Sequence, residues 1–302
     1  MSSSDQAART GALLAPSADL GTLSVTGPDR GTWLQGVVTC DVGPVVPGVG
    51  AWGLVLTRQG KILADMLLVA SESAVHAGIG RAAIARAQDY FASFLIMEDA
   101  DLVDDSATLS WLALHGPRAG EIAVRVAPRI GAAYGAVDVT GLGGAALVVA
   151  RGDEAEARRL AIAEGAVAAS DADFRRLRVE RLVPEYGVDM DEQRSPHDVS
   201  LERRTVSWTK GCYLGQEAVC MQDMRGKVKR RLAVIRLEGT EVPAAGARVF
   251  DRNGAEVGET RTAAASDVFG APVALAFLSA VAAATGTELV VEGVRAEVVE
   301  PR

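Results

Sequence analysis

The stretch KGCYLGQE, residues 210–217, sets a thiol two residues from an ammonium and just ahead of a short helical pattern, YLGQEAVCMQ. A cysteine at a helix N-terminus meets unpaired backbone N–H groups and the positive end of the helix dipole, and a neighbouring lysine adds charge. Both favour the thiolate, which is the nucleophile. Lys210 and Cys212 are therefore the candidate reactive pair. Spacing alone leaves a second reading open, a small thiol buried in a packed turn. Gly211 permits close backbone approach, and Gly215 within the pattern costs a helix about 1 kcal/mol relative to alanine, so something is expected to use the space it leaves. His197 in the SPHD segment could serve as a base in a cysteine hydrolase, but closeness in sequence brings no contact in space, and a solvated loop histidine is the expectation.

A second charged cluster lies upstream. SDADFRRLRVERL begins with aspartates suited to an N-cap and runs as a helix, yet its apolar stripe of Phe174, Leu177 and Leu182 is broken by Arg178, Glu180 and Arg181. A solvated helix with an internal ion pair accounts for the charges at a few tenths of a kcal/mol, and a ligand-reading helix accounts for them as well. The following VPEYGVDMDE ends the helix at Pro184 and gathers an aromatic, a glycine and four acids, which are costly to bury. That loop belongs to the surface or to a site. A basic run, Arg225, Lys227, Lys229, Arg230 and Arg231, suits a solvated strand entry, a nucleic acid or the anionic tail of a ligand.

These residues need a scaffold, and the chain is long enough to build one. Its 302 residues are 49% hydrophobic, which predicts a multi-domain globular protein. A net charge of -8 argues against a whole-surface grip on nucleic acid or an anionic membrane. Three cysteines without CxxC or Cys/His spacing suit a reducing compartment and offer no zinc site. Neither a signal peptide nor a membrane span is expected, and the cytoplasm is the default expectation.

LSVTGPDRGTWLQG reads as strand, turn and short helix around Trp33 and Leu34. AWGLVLTRQGKILADMLLVA reads as a hairpin turning at Gly60, and RAAIARAQDYFASFLIM as a helix laying one face on a sheet. TLSWLALHG, a helix after Pro117 and AALVVA continue an α+β alternation. From residue 229 the pieces shorten to strands punctuated by Asn-Gly, Pro and Gly, which predicts a separate small β-barrel.

KGCYLGQE, with RVERLVPEYGVDMDE before it and RGKVKRRL after it, resembles the corresponding region of the YgfZ-type folate-binding proteins, relatives of the glycine cleavage T-protein. LSVTGPDRGTWLQGVVTCDV, GLVLTRQGKILADMLLV and VGETRTAAASDVFGAPVALAFL fall in the order that family places them, so the likeness spans nearly the whole chain. The resemblance implies an α+β, three-domain ring with antiparallel sheets, in which residues 1–228 form two intertwined α+β subdomains and 229–302 a C-terminal β-barrel. It implies tetrahydrofolate or a one-carbon derivative as ligand. Glu180 would sit against the pterin edge, accepting paired N–H bonds, with Phe174 and Leu20 at ring-contacting positions. Arg178 and Tyr186 would meet the tail and ring edges. Asp189 joins this set, as do Tyr213, Gly215, Gln216 and Glu217 of the octapeptide. It further implies a monomer that supports iron-sulfur enzymes and, through them, tRNA modification, in contact with iron-sulfur client or assembly proteins but with neither nucleic acid nor membrane. Aminomethyl transfer is the alternative. Where T-proteins carry an Asn-Ala pair and a nearby aspartate, this chain reads His76-Ala77-Gly78, and neither is found in register. A scaffold that keeps the fold without folate is a further alternative.

Overall fold

The structure is a computed structural model that describes residues 2–16, 19–226 and 228–302. Its first sheet has five antiparallel strands in the order Ala51–Leu56, Ile62–Ala70, Val75–Gly80, Leu20–Thr26 and Asp101–Asp104. The first two form the expected hairpin, with Gly60 at φ +73° in its turn. Helices Arg30–Val37 and Ile84–Ala92 cover one face, where Trp33, Leu34, Ile84 and Phe91 pack on Leu23, Met66 and Ile79.

The second sheet has six strands: Val167–Ala168, Leu13–Leu14, Leu109–His115, Gly144–Ala150, Ala133–Ala136 and Gly48–Val49. Its two outer pairings are parallel and the inner ones antiparallel. Helices Ala119–Val126 and Glu154–Ala163 bury Ile122, Val126 and Leu160 against its outer face. The inner faces of the two sheets meet in a third core that joins Trp52, Leu54 and Val69 to Trp111, Ala146 and Val148. Strands read as ordinary alternating segments are thus covered on both sides, so positions of either parity can be buried. The chain crosses between these sheets four times, since Leu13–Leu14 and Gly48–Val49 pair in the second sheet directly before strands of the first, and Asp101–Asp104 of the first leads into Leu109–His115 of the second.

Residues 230–299 close a six-stranded barrel in the order Arg230–Leu237, Ala271–Ser279, Glu256–Ser266, Arg248–Asp251, Glu288–Val291 and Val294–Val299. Helix Asp171–Glu180 lies between barrel and sheets. Its N-cap is Ser170 and not an aspartate. The Ser170 hydroxyl accepts from the N–H of Asp173 at 3.2 Å, while the Asp173 carboxylate takes the N–H of Ser170 at 3.1 Å. The helix stops at Glu180, ahead of Pro184, and Leu182 adopts φ +52°. At its end the N–H of Arg302 donates to the Glu180 carbonyl at 2.9 Å, tying the segment after the last barrel strand to the helix.

Candidate functional site

A cavity of about 450 Å³ opens between the two sheets, helix Asp171–Glu180 and the loop that follows it. Leu20, Met66, Leu67 and Phe174 give it broad apolar walls, and Asp65, Arg178 and Tyr186 are among its polar groups. Asp65 lies in the strand Ile62–Ala70, where Ala64, Leu68 and Ala70 pack in the helix-covered core while Asp65, Met66 and Leu67 line the cavity. Burial pushes its carboxyl up from the ordinary value, against a hydrogen bond from the Trp52 indole at 3.4 Å and the charge of nearby Arg178. Arg178 is itself held by Glu185 at 2.9 Å and Asp189 at 3.5 Å. The Tyr186 hydroxyl accepts from Arg86 at 2.5 Å, and the same guanidinium pairs with Glu192 at 2.7 Å.

His115, the last residue of its strand, also lines the cavity and stacks on Phe174 with ring centroids 5.2 Å apart. Burial lowers its pKa to about 4, so the imidazole is neutral at physiological pH.

Of the residues expected around a ligand, Leu20, Phe174, Arg178 and Tyr186 come together here. Glu180 does not line the cavity. Its carboxylate accepts the Ser266 hydroxyl at 2.6 Å and faces Arg9 at 3.5 Å, and burial raises its pKa. A helix residue two positions beyond Arg178 points about 200° away from it, so the two charges serve opposite faces. Asp189 is likewise taken up by structure. It accepts from the N–H and hydroxyl of Thr262 at 3.0 and 2.6 Å and from the N–H of Glu185 at 2.9 Å, which fixes the loop on the barrel.

The octapeptide lies outside this cavity. Its helix runs Gln216–Arg225, so Cys212 stands four residues before the first helical residue. Gly215 is the N-cap at φ +81°, and a Cβ there would come within 2.6 Å of the Thr57 carbonyl. The space it leaves is therefore filled by the hairpin turn. Gly60 approaches from the other side, where a Cβ would meet Ala218 at 2.9 Å. The Lys210 ammonium donates to the carbonyls of Val38 at 2.8 Å and Cys40 at 2.7 Å, and burial lowers its pKa to about 8. Tyr213 is buried, with its hydroxyl unpartnered and its pKa raised by burial. Gln216 and Glu217 open the helix. Cys212 itself is exposed, Cys220 half-buried, and Cys40 buried with its thiol pushed up to about 11 by desolvation. The expected turn does exist, and it displays this thiol while locking the residues around it.

His197 is buried and not solvated, with Nε2 3.3 Å from Asp223. Of the basic run, Arg231 is joined to Glu202, and Lys227 lies outside the described residues. Among the described residues no cluster of three or more His, Cys, Asp or Glu is arranged to hold a metal, and no helix is long and apolar enough to cross a membrane.

The GCVT N-terminal domain matches residues 2–152, and the glycine cleavage T-protein C-terminal barrel domain matches residues 230–302. The chain belongs to the glycine cleavage T-protein family. It is 27% identical to an aminomethyltransferase of Streptomyces coelicolor, over 93% of this chain and 82% of that one. An aminomethyltransferase of Shouchella clausii is also 27% identical, over 95% and 83%. The fold matches that of the glycine cleavage system aminomethyltransferase T from Bartonella henselae with a TM-score of 0.83 at 17% identity, over 98% of this chain and 87% of that structure. The α+β family architecture with its closed terminal barrel is thereby established.

Asp65 and His115 are among the cavity residues that sequence reasoning passed over. A signal was present for the first. In ILADMLLVA a single acid interrupts an otherwise apolar strand, and a charge inside a doubly covered strand needs a reason.

Proposed function

We propose that this T-protein family member binds a tetrahydrofolate in the cavity between its sheets and acts as a YgfZ-type accessory to iron-sulfur enzymes, and through them to tRNA modification. The observation that supports folate most is Asp65, a carboxyl set in a wall of Leu20, Met66, Leu67 and Phe174. Flat apolar walls suit a fused ring, and a carboxylate beside them can accept the parallel N–H bonds of an aminopyrimidine edge. The volume lies within the range of small-molecule sites. Bound there, tetrahydrofolate would supply a carrier for a one-carbon unit. Phe174 and Leu20 would cover the ring and exclude water. Arg178, oriented by Glu185 and Asp189, would favour the ionised form of Asp65.

The accessory role rests on the octapeptide. A loop so firmly tied at Lys210, Tyr213 and Gly215 that nonetheless exposes Cys212 is suited to presenting a thiol to a protein client, and not to the pterin. One cysteine cannot hold a cluster, which usually takes four ligands, so contact with iron-sulfur chemistry would be transient or shared with the client. A monomer in the cytoplasm suits this role.

Folate-dependent aminomethyl transfer is the second reading. It is favoured by the names of the relatives and by Asp65, whose raised pKa allows it to hold a proton beside a reacting carbon. The deciding experiment titrates tetrahydrofolate into wild type, Asp65→Asn and Cys212→Ala, and measures iron-sulfur enzyme activity in cells carrying each. We expect Asp65→Asn to lose folate and Cys212→Ala to keep it while failing in cells. Turnover in a glycine-cleavage assay, with full cellular function for Cys212→Ala, would replace the accessory role with aminomethyl transfer.

A further inference from the structure

The Trp52 indole lines the cavity and donates its N–H to Asp65 at 3.4 Å. The same ring carries a cation, since the guanidinium carbon of Arg204 lies 5.1 Å from its centroid. Arg204 is firmly held. It donates to the carbonyls of Leu182 at 2.9 Å, Arg181 at 3.2 Å and Val139. Thr39 joins the two elements that bring ring and cation together. Its hydroxyl accepts at 2.8 Å from the N–H of Leu54, in the strand that carries Trp52, and donates at 2.7 Å to the carbonyl of Thr205, beside Arg204. Burial lowers the Arg204 pKa to about 10, with the charge of Arg181 acting the same way and that of Asp138 opposing, so the side chain stays cationic at physiological pH.

An indole is negative on its faces and positive at its edge, where the N–H lies. A cation over the face is attracted to the ring and polarises it further, so the N–H becomes a stronger donor. Asp65 is the acceptor that gains. Burial works against its ionised form, and the Trp52 bond leads the contacts that favour it, ahead of the charge of Arg178, while Glu185 opposes. We propose that Arg204 is a positioning residue for the ligand: acting through the Trp52 indole, it holds Asp65 in its ionised form and so sets the pH range over which the cavity accepts tetrahydrofolate. The role rests on the folate reading of the cavity, in which the ring pairs with that carboxylate.

The test is the ratio of tetrahydrofolate affinity at pH 8 to that at pH 6, from calorimetric titration of wild type and variants. Arg204→Gln should leave more Asp65 protonated at pH 6 and raise the ratio roughly two- to five-fold, which is about 0.5–1 kcal/mol, the size of a cation–π contact. Arg204→Lys also gives up the forked bonds but keeps a charge over the ring, so its ratio should stay near that of wild type. Trp52→Phe leaves Arg204 and its carbonyls in place and removes the N–H. It should raise the ratio at least as far as Arg204→Gln, and the two changes together should raise it no more. A ratio that Arg204→Gln leaves unchanged, one that lysine raises as much as glutamine, or a glutamine effect that survives in full beside Trp52→Phe overturns the role while leaving folate binding intact. Should Arg204→Gln fail to fold, the other two variants decide: an unchanged ratio in Trp52→Phe or a raised one in Arg204→Lys overturns it. Failure of wild type to bind tetrahydrofolate at either pH removes the folate reading as well.

Discussion

Replacing Asp65 by asparagine separates the ligand from the scaffold because the two respond in opposite directions. In the free protein, burial raises the Asp65 pKa above its unfolded value. Such a carboxyl favours the folded state while protonated, at pH below its unfolded value. That contribution is lost as pH rises through the folded pKa, since the buried site must then carry a charge. At pH 8 the ionised group is a cost to folding. Asparagine removes that charge and can still accept from Trp52, so the variant should unfold at the same temperature as wild type or higher at pH 8, with the advantage shrinking towards pH 4.

Ligand binding should move the other way. An aminopyrimidine edge offers two parallel donors, whereas asparagine has a single acceptor oxygen, so one charge-assisted bond is lost. At about 1.5–3 kcal/mol for a hydrogen bond to a charged group, tetrahydrofolate should bind roughly 10- to 150-fold more weakly. The wild-type constant should tighten as pH rises through the raised Asp65 pKa, and that of the variant should stay flat. Calorimetric titration from pH 5 to 8, with thermal melts of the free proteins, measures both effects. An unchanged dissociation constant, or a variant destabilised at pH 8 relative to pH 5, would refute the assignment of Asp65 as the buried acid that reads the ligand.

Gly215→Ala should cost about 2–4 kcal/mol in denaturant unfolding, combining a left-handed backbone with a Cβ pressed on the Thr57 carbonyl; a cost below about 0.5 kcal/mol would show that the turn can move aside. Glu180→Ala should lose about 1.5–3 kcal/mol of stability through the Ser266 contact, with the tetrahydrofolate constant within about two-fold of wild type; a folded variant that no longer binds folate would return Glu180 to the cavity. A maleimide reagent should label Cys212 in the native protein within minutes and reach buried Cys40 only on unfolding, as read by peptide mass spectrometry. Protection of Cys212 in the native protein would contradict its exposure.

What the sequence made legible was local. The turn at Gly60, the short alternating strands after residue 229 and the helix after Pro117 carry their cause within a few residues, and each forms as expected. The Gln216–Arg225 helix was misplaced at its start because a glycine within a helical pattern can equally be the left-handed residue before it, and only contact with Thr57, far away in sequence, decides which. Glu180 stood out as a charge in an apolar stripe, but its partner Ser266 is 86 residues on, and the stripe cannot say which side of the helix faces ligand. Asp65 was hidden by the reverse problem. Its strand is covered on both faces, so alternation no longer separates inside from outside.

The placement of Cys212 also bears on chemistry. A mechanism in which the sulfur attacks a folate-bound carbon needs near-contact between the reacting atoms, roughly 3–3.5 Å. Cys212 does not border the cavity, its neighbour Lys210 is fastened to the carbonyls of Val38 and Cys40, and the intervening turn is wedged against Thr57. Bringing the thiol to the ligand would mean tearing out a half-buried, doubly hydrogen-bonded lysine and a close-packed glycine together. Under the proposed function the two features would therefore serve different molecules, a folate inside the fold and a protein outside it. The hairpin connects them, since its turn seats the octapeptide and its second strand carries Asp65.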